Sequence, residues 1–128
     1  MTIHVDTSDL QRLVADLGEA ADILPDVRGV VAKGALNIKQ DWRRRWSGLA
    51  HAPAIPNAIT YDTKLTPHSA EAEIGPDKSK RQGALGNLLE YGSIKNGPIP
   101  GGAPALAEET PKFEKALNDV AVKKLGRL

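Results

Sequence analysis

The chain has no cysteine among its 128 residues. That excludes a disulfide scaffold, a thiolate nucleophile and a thiolate metal site, and it fits folding in a reducing compartment. Aromatics are scarce, with one Phe, two Trp and two Tyr, so aliphatic side chains must build most of the core. Neither sign of charge is in excess. Lys and Arg number 17 against 16 Asp and Glu, a net charge of +1. No global field therefore drives the chain toward nucleic acid or an anionic membrane. No run approaches the ~18 apolar residues of a membrane span. The segment from Met1 to Leu13 also lacks the basic-then-apolar pattern of a secretory leader.

What remains is a globular composition of 41% apolar and 26% charged residues, and a length that suits one domain spanning 1–128. Thr7 or Ser8 can cap a short first helix carrying Leu10, Leu13, Val14 and Leu17 at helical spacing. A main helix is predicted from Pro25 to Leu49. Val27, Val31, Ala35, Ile38, Trp42, Trp46 and Leu49 share one broad face at 100° per residue. Such a helix would be ~37 Å long, enough to project or to meet a partner. Leu36, on its polar side, suggests a second contact face.

Beyond a loop broken by Pro53 and Pro56, Ile59, Tyr61, Thr63 and Leu65 alternate with polar residues. This predicts a strand with one buried face. Thr66-Pro67-His68-Ser69 reads as a turn, and Ala70, Ala72 and Ile74 as a second strand. A four-residue connection would set Leu65 opposite Ala70, Lys64 opposite Glu71 and Tyr61 opposite Ile74. The charged pair would be worth a few tenths of a kcal/mol. Ala84 to Tyr91 reads as a short helix or irregular buried segment, with Gly92 as its C-terminal cap. Residues 92–103 form a flexible Gly/Pro-rich loop. A last helix begins near Pro104 or, after a break, at Thr110-Pro111, with Phe113, Leu117, Val120 and Ala121 on its apolar stripe. The fold class is α+β: a small, hairpin-based antiparallel sheet packed against a long helix and a C-terminal helix.

Catalytic patterns are weak. The glycines from Gly97 to Gly102 lack the Lys-Ser or Lys-Thr of a phosphate cradle. His4, His51 and His68 have no partner at helical metal spacing. Glu71 and Glu73 share a strand face, as solvated carboxylates commonly do. Arg43-Arg44-Arg45 is the strongest local feature, but three successive helical residues fan over ~200° and cannot all meet one phosphate groove. Their plain reading is a solvated helix end, with Arg45 snorkelling past Trp42. The functional reading is an interface, because Arg and Trp are enriched at protein contact hot spots.

Several short strings occur in a telling order: Ala70-Glu71-Ala72-Glu73-Ile74-Gly75-Pro76, then Leu88-Leu89-Glu90-Tyr91-Gly92-Ser93, then Ala103-Pro104-Ala105-Leu106 with Pro111-Lys112-Phe113-Glu114. With the long helix before them, they cover roughly residues 25–125. This order resembles the small tail-component family of long-tailed bacteriophages, the tail-completion or neck proteins of the Hong Kong 97 type. The resemblance implies a structural virion protein with no enzymatic activity, cofactor or metal. It implies a ring of copies, a hexamer by the six-fold symmetry of the tail, at the head–tail junction and in the host cytoplasm during assembly. Implied partners are other connector proteins and the tail tube or tail terminator, with packaged DNA in the channel and no membrane. Contact regions expected on this basis are Leu36, Trp42, Arg43, Arg44, Arg45 and Trp46 on the long helix, and Ile94, Lys95 and Ile99 in the loop. The alternative reading is a small nucleic-acid-binding or regulatory protein acting through Arg43–Arg45. A small hydrolase or toxin would need a catalytic constellation the sequence does not offer.

Overall fold

In the computed structural model, residues 2–6, 24–66 and 69–125 are described. The chain runs through strand β1 (Thr2–Asp6), helix α1 (Leu24–Arg45), a 3₁₀ turn (Ile55–Ala58) and strands β2 (Ile59–Leu65) and β3 (Ser69–Pro76). A second 3₁₀ turn (Gly83–Leu85), helix α2 (Gly86–Tyr91) and helix α3 (Gly102–Leu125) follow. The architecture is α+β, as the sequence pattern predicts. The first helix expected after Thr7 and the Pro67-His68 turn centre lie outside the described residues.

Helix α1 carries the core. Val27, Val31, Ala35, Ile38, Trp42 and Trp46 of its apolar stripe are all buried. The helix stops at Arg45 rather than at Leu49. The Ser47 N–H bonds Arg44 O at 3.2 Å, which tightens the last turn, and Gly48 takes φ +80°. A left-handed residue reverses the chain there, and glycine adopts it without a Cβ clash. Leu49 is therefore half-buried outside the helix.

The sheet has three strands in the order β1-β3-β2, all neighbours antiparallel. Strand β1 extends the predicted hairpin, with Ile3 opposite Ala72 and Val5 opposite Ala70. The alternation Ile3-His4-Val5 is its sequence signal, too short to stand out. The hairpin register is the expected one: Leu65 faces Ala70, Lys64 faces Glu71 and Tyr61 faces Ile74. At its tip the Thr66 N–H donates to Ser69 O at 3.0 Å, and the two side-chain hydroxyls share a 2.7 Å hydrogen bond. The buried face expected on β2 holds only at one end. Ile59 is buried and Tyr61 half-buried, but Thr63 and Leu65 are exposed, because β2 is an outer strand and the burial falls on central β3. There Ala70, Ala72 and Ile74 are fully buried.

Helix α3 begins at Gly102 and continues through Pro111 without a break. Proline removes one intrahelical donor, but Ala107 and Pro111 both lie on the exposed side, where water can meet the freed carbonyl. Thr110 serves here as a mid-helix residue, its hydroxyl donating to Leu106 O at 2.7 Å. The helix packs chiefly along α1, with half-buried Phe113, Leu117 and Val120 against the core and Ala105 inside it.

Candidate contact surface

The two tryptophans expected at an interface sit in the core. Trp46 is fully buried and Trp42 nearly so, and their rings meet edge to face with centroids 5.5 Å apart. They form the seat for the second half of the Gly/Pro loop. The Trp46 Nε1–H donates to Ile99 O at 2.8 Å. Gly101 and Gly102 lie so close to the Trp42 ring that a Cβ on either would come within 2.6 Å of it. From the other side the Glu90 carboxylate accepts the Gly102 N–H at 2.7 Å and the Gly101 N–H at 3.1 Å. These are the first N–H groups of α3, which have no intrahelical partner, and a carboxylate also suits that end of the helix dipole. The Ile99 N–H donates to Leu89 O at 2.7 Å. The part of 92–103 from Ile99 onward is thus fastened by backbone and side-chain hydrogen bonds, contrary to the expectation of a flexible loop throughout.

The arginine run is divided among structural roles. Arg43 donates from Nε and Nη2 to Ile59 O at 3.1 and 2.8 Å, tying the end of α1 to the start of β2. Arg44 pairs with Asp41. Arg45 bonds Asp41 at 3.1 Å and reaches across to Glu108 of α3 at 2.7 Å. The hydrogen bond to Asp41 raises the Arg45 pKa. Arg45 therefore bridges α1 to α3 instead of lying in the apolar stripe. Farther along the same seam, Asn37 donates to the buried Glu109 at 3.0 Å.

The first half of the loop behaves differently. Ser93 to Asn96 close a turn on their own backbone, with the Ser93 N–H on Asn96 O at 2.8 Å. That turn presents Ile94 fully exposed, with Lys95 beside it. Beneath its rim lies an open groove of about 270 Å³, lined mainly by Leu49, His51, Leu85, Leu88, Leu89 and Ile99. Leu88 is 54% exposed and Ile99 43%. The segment 84–91, expected as a short helix or an irregular buried segment, is a short helix from Gly86, and it turns Leu85, Leu88 and Tyr91 outward, because a helix as short as α2 has room for few inward positions. Leu36, half-buried on α1, is not among the groove residues. Sequence reasoning missed Leu85, Leu88 and Leu49 as surface residues. The available signal was the crowding of Leu85, Leu88, Leu89 and Tyr91 into one short segment next to Ile94 and Ile99.

No carboxylate or lysine lines this groove, and His51 is its one titratable group. Among the described residues, no group of three or more His, Asp or Glu is placed to hold a metal ion, and no helix is long and apolar enough to cross a membrane. Comparison with family models, with curated proteins and with solved structures finds no match. The functional argument therefore rests on the chain's own residues.

Proposed function

We propose that the chain is a structural subunit of the head–tail junction of a long-tailed bacteriophage, acting through contacts with copies of itself and with neighbouring connector or tail proteins. The order of strings between residues 70 and 114 suggests the class. The observation that carries the reading is the apolar groove lined in part by Ser93 and Asn96 of the turn that presents the fully exposed Ile94. Exposed apolar patches of this kind mark protein contact sites. At about 270 Å³ the groove is smaller than the roughly 300–1,000 Å³ of ordinary small-molecule sites. The arginine run, the basis of the nucleic-acid alternative, is split among Ile59 O, Asp41 and Glu108, so its three side chains do not converge on one phosphate site.

Light scattering across concentrations, paired with a DNA-binding titration at several salt concentrations, tests the reading. Association weakened by Ile94→Asp, with no strongly salt-dependent DNA binding, supports it. A monomer that binds DNA tightly, with affinity falling steeply as salt rises, would overturn it. Neighbouring genes for a portal, a capsid and a tail tube would support the class independently.

A further inference from the structure

Among the described residues, one outer strand of the sheet has no partner along its outer backbone edge. Hydrogen bonds at both ends of the hairpin fix which residues of β2 face β3. The Asp77 N–H donates to Ala58 O at 2.8 Å, and the Thr66 N–H to Ser69 O at 3.0 Å. Inward and outward backbone groups alternate along an antiparallel pair. Thr60, Asp62 and Lys64 therefore bond β3, while Ile59, Tyr61, Thr63 and Leu65 face away from it. Ile59 O is occupied by the Arg43 guanidinium. The backbone N–H and C=O groups of Tyr61, Thr63 and Leu65 have no hydrogen-bond partner among the described residues. Outer strands are commonly blunted by proline, a bulge or a cover. Here the register runs unbroken from Ile59 to Leu65 with no proline.

We infer that this edge is the contact between copies: β1 of a second copy adds alongside β2, parallel to it. The inference rests on the ring reading, because a ring needs two unlike surfaces on each subunit. The outer strands β1 and β2 supply them. Both are antiparallel to β3, so they run in the same direction. A rotation about an axis along the strands keeps that direction and brings β2 of one copy against β1 of the next. Such a contact is heterologous and closes by rotation. Pairing β2 with β2 would instead be antiparallel and two-fold, and would stop at a dimer. The lengths also match, since β1 has 5 residues and the open row runs from Tyr61 to Leu65.

The test uses the full chain. Thr63→Pro removes an N–H that the ladder to β3 does not use, and outer strands tolerate proline. Asp62→Pro removes an inward N–H and serves as the unfolding control. Sedimentation velocity from micromolar to millimolar concentration should show self-association of the native chain, weakened at least about tenfold by Thr63→Pro, the equivalent of one lost backbone hydrogen bond. Circular dichroism should show that variant still folded. If it is not, Leu65→Pro, which also removes an outward N–H, takes its place. The chain has no cysteine, and His4 shares a sheet face with Lys64, both lying opposite Glu71, so His4→Cys and Lys64→Cys chains can be joined by a short bismaleimide, and they should cross-link when mixed and not singly. A native chain that stays monomeric, unchanged association of a folded edge-proline variant, or cross-linking of Lys64→Cys to itself would each overturn the inference. Association lost in Ile94→Asp but kept in Thr63→Pro would end the edge assignment and leave the ring reading standing. Salt-dependent DNA binding by a monomer would end the ring reading itself.

Discussion

The two halves of the Gly/Pro loop have opposite fates, and the fixed half is the one richer in glycine and proline. Ile99 to Gly102 is held by the Trp46 indole, the Leu89 carbonyl and the Glu90 carboxylate. Ser93 to Gly97 is held by one small turn and has exposed side chains. Glycine and proline content does not decide which half is fixed. Partners do: buried backbone N–H and C=O groups must be satisfied, and only the second half lies against groups that can satisfy them. Glycine there has a packing role, since it lets the chain come down onto the Trp42 ring.

Substitutions on the two sides should separate them sharply. Trp46→Ala removes the largest fully buried side chain and the donor to Ile99 O. We expect a loss of about 3–5 kcal/mol, read by urea unfolding, with faster amide exchange at Gly101 and Gly102. A smaller loss would mean that the loop holds without its seat. Gly102→Ala sets a methyl group 2.6 Å from the rigid Trp42 ring. Overpacking of this kind costs about 1–3 kcal/mol, even though alanine is the better helix former; a stabilised variant would show that the ring can move aside. On the other half, Ile94→Asp should leave stability within about 0.5 kcal/mol in the same unfolding experiment, while weakening association. An unfolded Ile94→Asp chain would erase the contrast.

The smallest effect belongs outside the loop and serves as a reference. Asp77 accepts the Ser79 hydroxyl at 2.6 Å and its N–H at 2.9 Å. The hydroxyl bond first, then the backbone bond, holds its carboxyl below the usual range, with Lys80 adding to the effect. A lowered folded pKa means that the charged form is favoured by folding. Its contribution is present above the unfolded value, about 3.9, and fades as pH falls through the lower folded value. The melting-temperature difference between the native chain and Asp77→Asn should be small and level near neutrality, and should shrink in acid.

Much of the fold was legible in advance because it follows periodicity. The stripe from Val27 to Trp46 and the hairpin register each repeat a spacing that only one local structure satisfies. The contact surface was legible only in part. Ile94 and Ile99 could be singled out by their place in a polar, glycine-rich loop. Trp42 and Trp46 were misassigned because an aromatic on an amphipathic helix looks the same whether the chain or a partner covers it. The covering strand of chain, Ile99 to Ala105, lies more than fifty residues away in sequence, and no local spacing reports it. Leu85 and Leu88 show the converse: their spacing suits a buried face, yet no distant segment among the described residues covers them.

Local order by itself determined the helical stripe of α1, the pairing of β2 with β3, the Gly92 cap and the lack of thiol chemistry, since each depends on a residue and its near neighbours. Only the tertiary structure decided where α1 ends, how α3 passes through Pro111, which arginines are engaged and which half of the glycine loop is pinned. Those outcomes depend on groups brought together from distant positions, and the free energy of burying or pairing them exists only once both are in place.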